Sequence, residues 1–181
     1  MHNEKEISDV EYLKELKKLK SDIDLLRTQV FFDDITMAKN TLWMYKEKLK
    51  DNETFRDFGF IASIKISDYG KIVKSYDANV GNKLLKQVSD YMIRYMKDNN
   101  LKYEIVRYRK GNFLIFMHGL NEDEVEEHIA NMQNGMYNYK FKHRNRMFSL
   151  TFNSAAIQYI ENESFSSVLD QLDTKLFEKD V

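Results

Sequence analysis

Residues 107 to 113 read RYRKGNF, placing Arg109, Lys110, Gly111 and Asn112 in one short turn. An apolar run from Tyr103 to Arg107 leads in and Phe113-Leu114-Ile115-Phe116 leads out, so the spacing predicts strand, turn, strand. A glycine-bearing hairpin lets backbone approach a phosphate, and neighbouring cations can pair with its oxygens. The turn carries no carboxylate, so it offers no anionic ligand to a hard metal ion. A second basic turn, KFKHRNR (140–146), gathers Lys140, Lys142, His143, Arg144 and Arg146. Such a tip could touch phosphate, but hairpin tips are commonly charged because they are solvated. No run of aromatics accompanies it to stack bases, so nucleic acid is not an expected partner.

Other chemistry is thin. His2, His118, His128 and His143 are scattered without metal-ligand spacing, and His128 reads as part of a solvated acidic helix face beside Glu124. There is no nucleophile elbow, no Walker-type phosphate loop and no dinucleotide fingerprint. With no cysteine, disulfides, thiolate metal sites and a cysteine nucleophile are excluded. Its 28 basic and 29 acidic side chains nearly cancel, so no global field recruits nucleic acid or an anionic membrane. The start of the chain is charged and helical, without a signal-peptide core, and no later stretch approaches the roughly 20 apolar residues of a membrane span. The expected setting is the cytoplasm.

The elements that would hold these residues follow from periodicity. Residues 8–31 form a polar helix whose Leu16, Leu19, Ile23, Leu26 and Val30 alternate by three and four, with Ile7, Val10 and Leu13 slipping out of register. Such a helix either lies on its own domain or forms a dimerising stalk. A second helix is expected after Asp33 or Asp34, burying Ala38, Leu42, Trp43, Tyr45 and Leu49. A strand over 58–67 follows, then a helix over 75–100 with Val80, Leu84, Leu85, Val88, Tyr91, Met92 and Tyr95 inward. After the hairpin comes a helix capped by Asn121 and ended by Gly135, then strands YNYKFKH and RMFSLTFNSAAIQYI. A last helix is capped by Ser164 or Ser166. This order predicts an α+β domain with a mostly antiparallel sheet flanked by helices over residues 32–181, and a helical extension over residues 1–31.

Four stretches resemble the GGDEF domain, the catalytic domain of diguanylate cyclases, over about residues 32–180. DDITMAKN (33–40) is similar to the entry segment Asp-x-Leu-Thr-Gly-Leu-x-Asn, with Asp33, Ile35, Thr36 and Asn40 in place. IKISDYGKIVKSYDANVGNKLL (64–85) keeps Ile66, Tyr69, Ile72, Tyr76, Gly81 and Leu85 of the next motif in unbroken register. RYRKGNF stands where the family has Arg-Tyr-Gly-Gly-Asp-Glu-Phe. LTFNSAAI and the helix ending LDTKLF resemble the last strand and helix. The resemblance implies the family's nucleotidyl-cyclase-like fold.

For activity it implies a loss. An active cyclase holds two divalent ions between acidic side chains and the GTP phosphates. The family's first metal Asp falls on Lys65, and the second acid of that motif on Ser67. The signature Asp falls on Gly111 and its Glu on Asn112. The two signature glycines fall on Arg109 and Lys110. The base-reading Asn and Asp fall on Val73 and Asn82, and the product-inhibition pair on Asn100 and Tyr103. The basic residue of the last helix falls near Lys179 or Asp180. The expectation is a degenerate GGDEF domain, not an enzyme, with no metal and no cofactor. It would act as a protein-interaction or regulatory module for an unidentified protein partner, with a homodimer through residues 8–31 as one possibility. The alternative is a metal-independent sensor of a nucleotide or cyclic dinucleotide, using Arg109, Lys110, Lys65 and Asn82. A catalyst of unrelated chemistry has no constellation to support it.

Overall fold

The structure, a computed structural model, describes residues 9–67 and 69–178. Helix α1 (Asp9–Phe31) carries the predicted seam, yet every residue from 10 to 30 is exposed. Leu16, Leu19, Ile23, Leu26 and Val30 are 45% to 58% exposed. The helix therefore projects from the domain instead of lying on it, and the first of its two readings is set aside. Ile7 lies outside the described residues.

The helix expected after Asp33 or Asp34 starts later. Asp33 closes a turn instead: its Oδ1 accepts from the Ile35 amide (3.2 Å), the Thr36 amide (2.9 Å), the Thr36 hydroxyl (2.7 Å) and Arg107 Nη1 (3.1 Å). An Asp that bonds backbone two and three residues on makes a turn in preference to a helix. Asn40 is the true cap, accepting from Trp43 N at 2.9 Å. It opens α2 (Thr41–Trp43), which continues as a π-helical turn, Met44–Lys48. Trp43, Met44 and Leu49 are buried there, whereas Leu42 and Tyr45, expected inside, are exposed. Asn40 also ties the junction to α1, donating from Nδ2 to Val30 O (2.8 Å) and from its amide to Phe31 O (2.9 Å).

Strand β1 (Gly59–Ile66) comes next, then α3 (Tyr69–Ser75) and α4 (Ala78–Asp98). The single helix expected over 75–100 is thus preceded by a separate α3, and Asp77 caps α4 by accepting from Val80 N at 2.8 Å. Strands β2 (Lys102–Arg109) and β3 (Asn112–His118) form the predicted hairpin. Helix α5 (Glu122–Asn138) opens with a capping box between Asn121 and Glu124. It does not stop at Gly135, whose missing side chain leaves room for the Tyr91 hydroxyl, so Tyr137 and Asn138 are helical and not strand. Two three-residue strands, β4 (Phe141–His143) and β5 (Arg146–Phe148), pair with each other, and β6 (Phe152–Tyr159) is separate from them. Helix α6 (Phe165–Glu178) ends the described chain, with Val168 N bonded to Ser164 O at 3.1 Å.

The main sheet has the order β2-β3-β1-β6 with every pairing antiparallel, as the expected α+β class requires. β1 is central, and seven of its eight residues are buried because both faces are covered. On one face Ala62, Ile64, Phe113 and Ile115 pack against Leu84, Leu85, Val88 and Met92 of α4 and Val125 and Ile129 of α5. On the other, Ile61, Leu114, Phe116 and Ala155 meet Met44, Leu49 and, from α6, Val168 and Leu172. Each buried valine, leucine, isoleucine, methionine or phenylalanine among them contributes about 1.5–3 kcal/mol. Strand β6 lies at one side of the sheet. Gln133 of α5 donates to its Phe152 carbonyl, and Lys175 of α6 donates to its Ala156 carbonyl at 3.0 Å while reaching Glu126 of α5 at 3.7 Å. No described helix is long and apolar enough to cross a membrane.

Candidate functional site

Antiparallel register places Lys65 of β1 directly opposite Asn112 of β3. The alternation along β1 aims Ser63 and Lys65 at the face covered by α6, and Asn112 shares that face with Leu114 and Phe116. Asn112 Oδ1 accepts from Ser63 Oγ at 3.0 Å, so its one carbonyl oxygen is already engaged. The turn between β2 and β3 folds over the end of β1, where Ile66 N bonds to Gly111 O at 2.9 Å.

Lys65, Ser67, Arg109, Lys110, Gly111 and Asn112 line one open cleft of about 660 Å³, so the sequence candidates from β1 and the hairpin do converge. Asn82 does not join them: it sits on α4 next to Gly81 and lies outside the lining of this cleft. Among the described residues neither Lys65 nor Lys110 forms an ion pair. Arg109 is less free. Its guanidinium lies 4.8 Å from the Tyr108 ring centroid and donates to the Tyr108 hydroxyl at 3.2 Å. Ser67 Oγ donates to Asn153 Oδ1 at 2.8 Å.

Ile66, Tyr69, Gly70, Asp173 and Phe177 complete the cleft, and the sequence reading did not assign them to it. A signal existed for Tyr69, an aromatic held in register beside the hairpin. Its ring sits on Gly111, where a Cβ would come 2.7 Å from Tyr69 Cβ. The far end of the same ring reaches Gly81, where a Cβ would stand 3.1 Å from the hydroxyl. Val73 presses on Gly81 as well, with Cγ2 2.5 Å from where a Cβ would be, so α3 and α4 are in contact where the sequence alignment puts the base readers. Burial pushes the Tyr69 hydroxyl above its ordinary value, against the opposing field of Arg107. Among the described residues no group of three His, Asp or Glu side chains is arranged to hold a metal ion. The basic position near Lys179 and Asp180 lies outside the described residues. His128 is not simply solvated, since Nδ1 lies 3.2 Å from the Tyr95 hydroxyl.

An antiparallel sheet in this order, with a hairpin folded over the central strand and helices on both faces, defines an α+β domain of cyclase type. The chain belongs to the GGDEF family: the model of the diguanylate cyclase GGDEF domain matches residues 31–180. Among solved structures it is similar to the FimX GGDEF domain of Pseudomonas aeruginosa, at 14% identity over 81% of this chain and 91% of that one, with a TM-score of 0.67. It is also similar to the coiled coil and GGDEF domain of Caulobacter crescentus DgcB, solved with c-di-GMP, at 15% identity over 93% and 90%, with a TM-score of 0.69. A third is diguanylate cyclase SiaD of Pseudomonas aeruginosa with its activator SiaC, at 12% identity over 93% and 65%, with a TM-score of 0.71. At these identities the likeness is one of fold. No curated protein matches the chain.

Proposed function

We propose that this GGDEF domain does not cyclise GTP and works as a protein-interaction or regulatory module. The observation that carries the reading is the pairing of Lys65 with Asn112. GTP cyclisation needs hard anionic oxygens around divalent ions. Here one of the two positions presents an ammonium, and the other an amide oxygen already bonded to Ser63. Exchanging a carboxylate for a lysine turns a ligand into a repeller, so this donor set does not fit the family's metal pair. The projecting α1 seam supports self-association through Leu16, Leu19, Ile23, Leu26 and Val30. The activator seen with SiaD supports a protein partner for a domain of this shape. Purified protein incubated with GTP and magnesium or manganese is expected to release no cyclic dinucleotide by chromatography. Product formation would overturn the reading.

A second reading is favoured by the shared cleft: Lys65 and Lys110 face it without ion pairs among the described residues, and could hold phosphate without metal. Against it stand Asp173 in the same lining, the engagement of Arg109 with Tyr108, and the packing of Val73 on Gly81. Metal-free calorimetry with GTP, ATP and cyclic di-GMP separates the two. Heat that disappears in Lys110→Glu supports a sensor, and no heat supports the interaction module.

A further inference from the structure

At the far end of the sheet from the hairpin, five polar side chains from five segments cluster where one of them, Lys48, buries its ammonium. Lys48, at the end of the π-helical turn, has only 7% of its side chain exposed. Its Nζ lies 3.4 Å from Asp57 Oδ2, 3.3 Å from Glu104 Oε2 of β2 and 2.9 Å from His118 Nε2 of β3. The Phe116 ring centroid is 5.4 Å away. From β6 the Tyr159 hydroxyl donates to Asp57 Oδ1 at 3.2 Å. Burial, with Asp57 beside it, pushes that hydroxyl far above its ordinary value, so Tyr159 stays a donor. Two more cations border the group: Lys39, whose charge acts on Glu104, and Lys102, the cross-strand partner of His118. The His118 ring is held close by Gly59, where a Cβ would lie 3.0 Å from Nδ1.

Lysine has donors and no acceptor, so a contact from Nζ to His118 Nε2 requires Nε2 to be unprotonated and the ring proton to sit on Nδ1. Glu104 Oε2 is meanwhile buried and ion-paired with Lys48 at 3.3 Å, yet it accepts no hydrogen bond, although it lies 3.5 Å from His118 Nε2. A buried carboxylate oxygen without a hydrogen-bond donor forgoes stabilisation that a nearby N–H could supply.

We propose that His118 is a proton-driven switch that re-pairs this network. A proton arriving at the ring can go only to Nε2, the atom facing Lys48. The Lys48–His118 hydrogen bond is then lost, because two donors face each other. Nε2–H turns instead to Glu104 Oε2 and gives that oxygen a donor, and Lys48 keeps Asp57. Formal charge over Lys48, Asp57, Glu104 and His118 goes from minus one to zero. The tie that is released joins the π-helical turn to β3, and the turn leads through α2 and Asn40 to the stalk. The switch thus acts on the segment linking α1 to the sheet, independently of what the hairpin binds.

The test is heteronuclear NMR on the full chain, titrated from about pH 8 to about pH 5, across which imidazoles change charge. At the upper end the His118 ring is expected as the Nδ1–H tautomer. On acidification the Glu104 carboxylate, the Lys48 side chain and the amides of 41–48 are expected to shift with the same midpoint as His118. Amide exchange over 41–48 is expected to quicken, and His118→Gln, which takes up no proton, is expected to abolish both effects. Should His118→Gln fail to fold, Glu104→Gln serves: removing the acceptor's charge lowers the His118 midpoint. An Nε2–H tautomer at the upper end, titration of His118 with no response at Lys48, or an unmoved midpoint in Glu104→Gln would each overturn the proposal.

Discussion

The ring of Tyr69 rests on Gly111, so near that a Cβ on residue 111 would stand 2.7 Å from Tyr69 Cβ. The resemblance puts the signature aspartate at residue 111, and there the first turn of α3 occupies the space next to the hairpin that a side chain would need. Gly111→Asp is expected to destabilise the fold by about 2 kcal/mol through overpacking. Urea denaturation measures it, and an unchanged midpoint would mean that Tyr69 moves aside freely.

Asp33 gives a pH-dependent prediction. Burial pushes its carboxyl up, but the Thr36 hydroxyl and amide and the Arg107 guanidinium outweigh this and hold it below the usual carboxylate range. A depressed folded-state value means the stabilisation is present above the unfolded value, near pH 3.9, and fades as pH falls through the folded one. Asp33→Asn is expected to cost about 2 kcal/mol at neutral pH, as loss of charged hydrogen bonds does. The gap between variant and wild type is expected to close in strong acid. Thermal melts at several pH values check both the size and the direction.

Met37 adopts φ of 55° in the turn after Thr36, at the position where the family's entry segment has glycine. Left-handed backbone costs a non-glycine residue about 1–2 kcal/mol, and glycine returns about half of that in unfolded-state entropy. The side chain is 49% exposed, so little packing is lost with it. Met37→Gly is expected to raise stability by about 0.5 kcal/mol, read from the denaturation midpoint. A clear loss of stability would show that the Met37 side chain contributes contacts beyond its backbone strain.

Light scattering tests the stalk. Leu19 and Ile23 are 53% and 51% exposed on α1, so charges placed there cannot disturb the core of the domain. The full chain is expected to be a dimer, and Leu19→Glu with Ile23→Glu a monomer of unchanged melting behaviour. A wild-type monomer would remove the coiled-coil reading.

Long periodic runs are legible in the amino-acid sequence itself. The inward face of α4, the strand at β1, the Asn121 cap and the hairpin at Gly111 follow from spacing alone, because burial on a regular element leaves a regular trace. The junctions do not. Asp33 reads equally as a cap or as a turn-former, and the structure decides it through Thr36 and the distant Arg107 together. Gly135 reads as a stop until Tyr91, 44 positions earlier, is seen to need its space. Of the candidate site, the resemblance to the family pattern singles out Lys65, Gly111 and Asn112 as the positions to inspect. The engagement of Asn112 by Ser63, the folding of Arg109 onto Tyr108 and the exclusion of Asn82 from the cleft depend on contacts between segments far apart in the chain. The Lys48 cluster leaves no local trace, since its members come from five separate segments.

The side chains bonded to β6 bear on how the protein behaves when crowded. A strand at the border of a sheet offers unsatisfied amides and carbonyls that can recruit a strand from another molecule. In this domain Gln133 and Lys175 reach across from α5 and α6 to occupy two of those carbonyls, and the Lys175 charge would have to be displaced by any incoming backbone. The same lysine that steadies the sheet therefore acts as a gatekeeper against templated aggregation, a protection that comes from two helix side chains and needs no neighbouring strand.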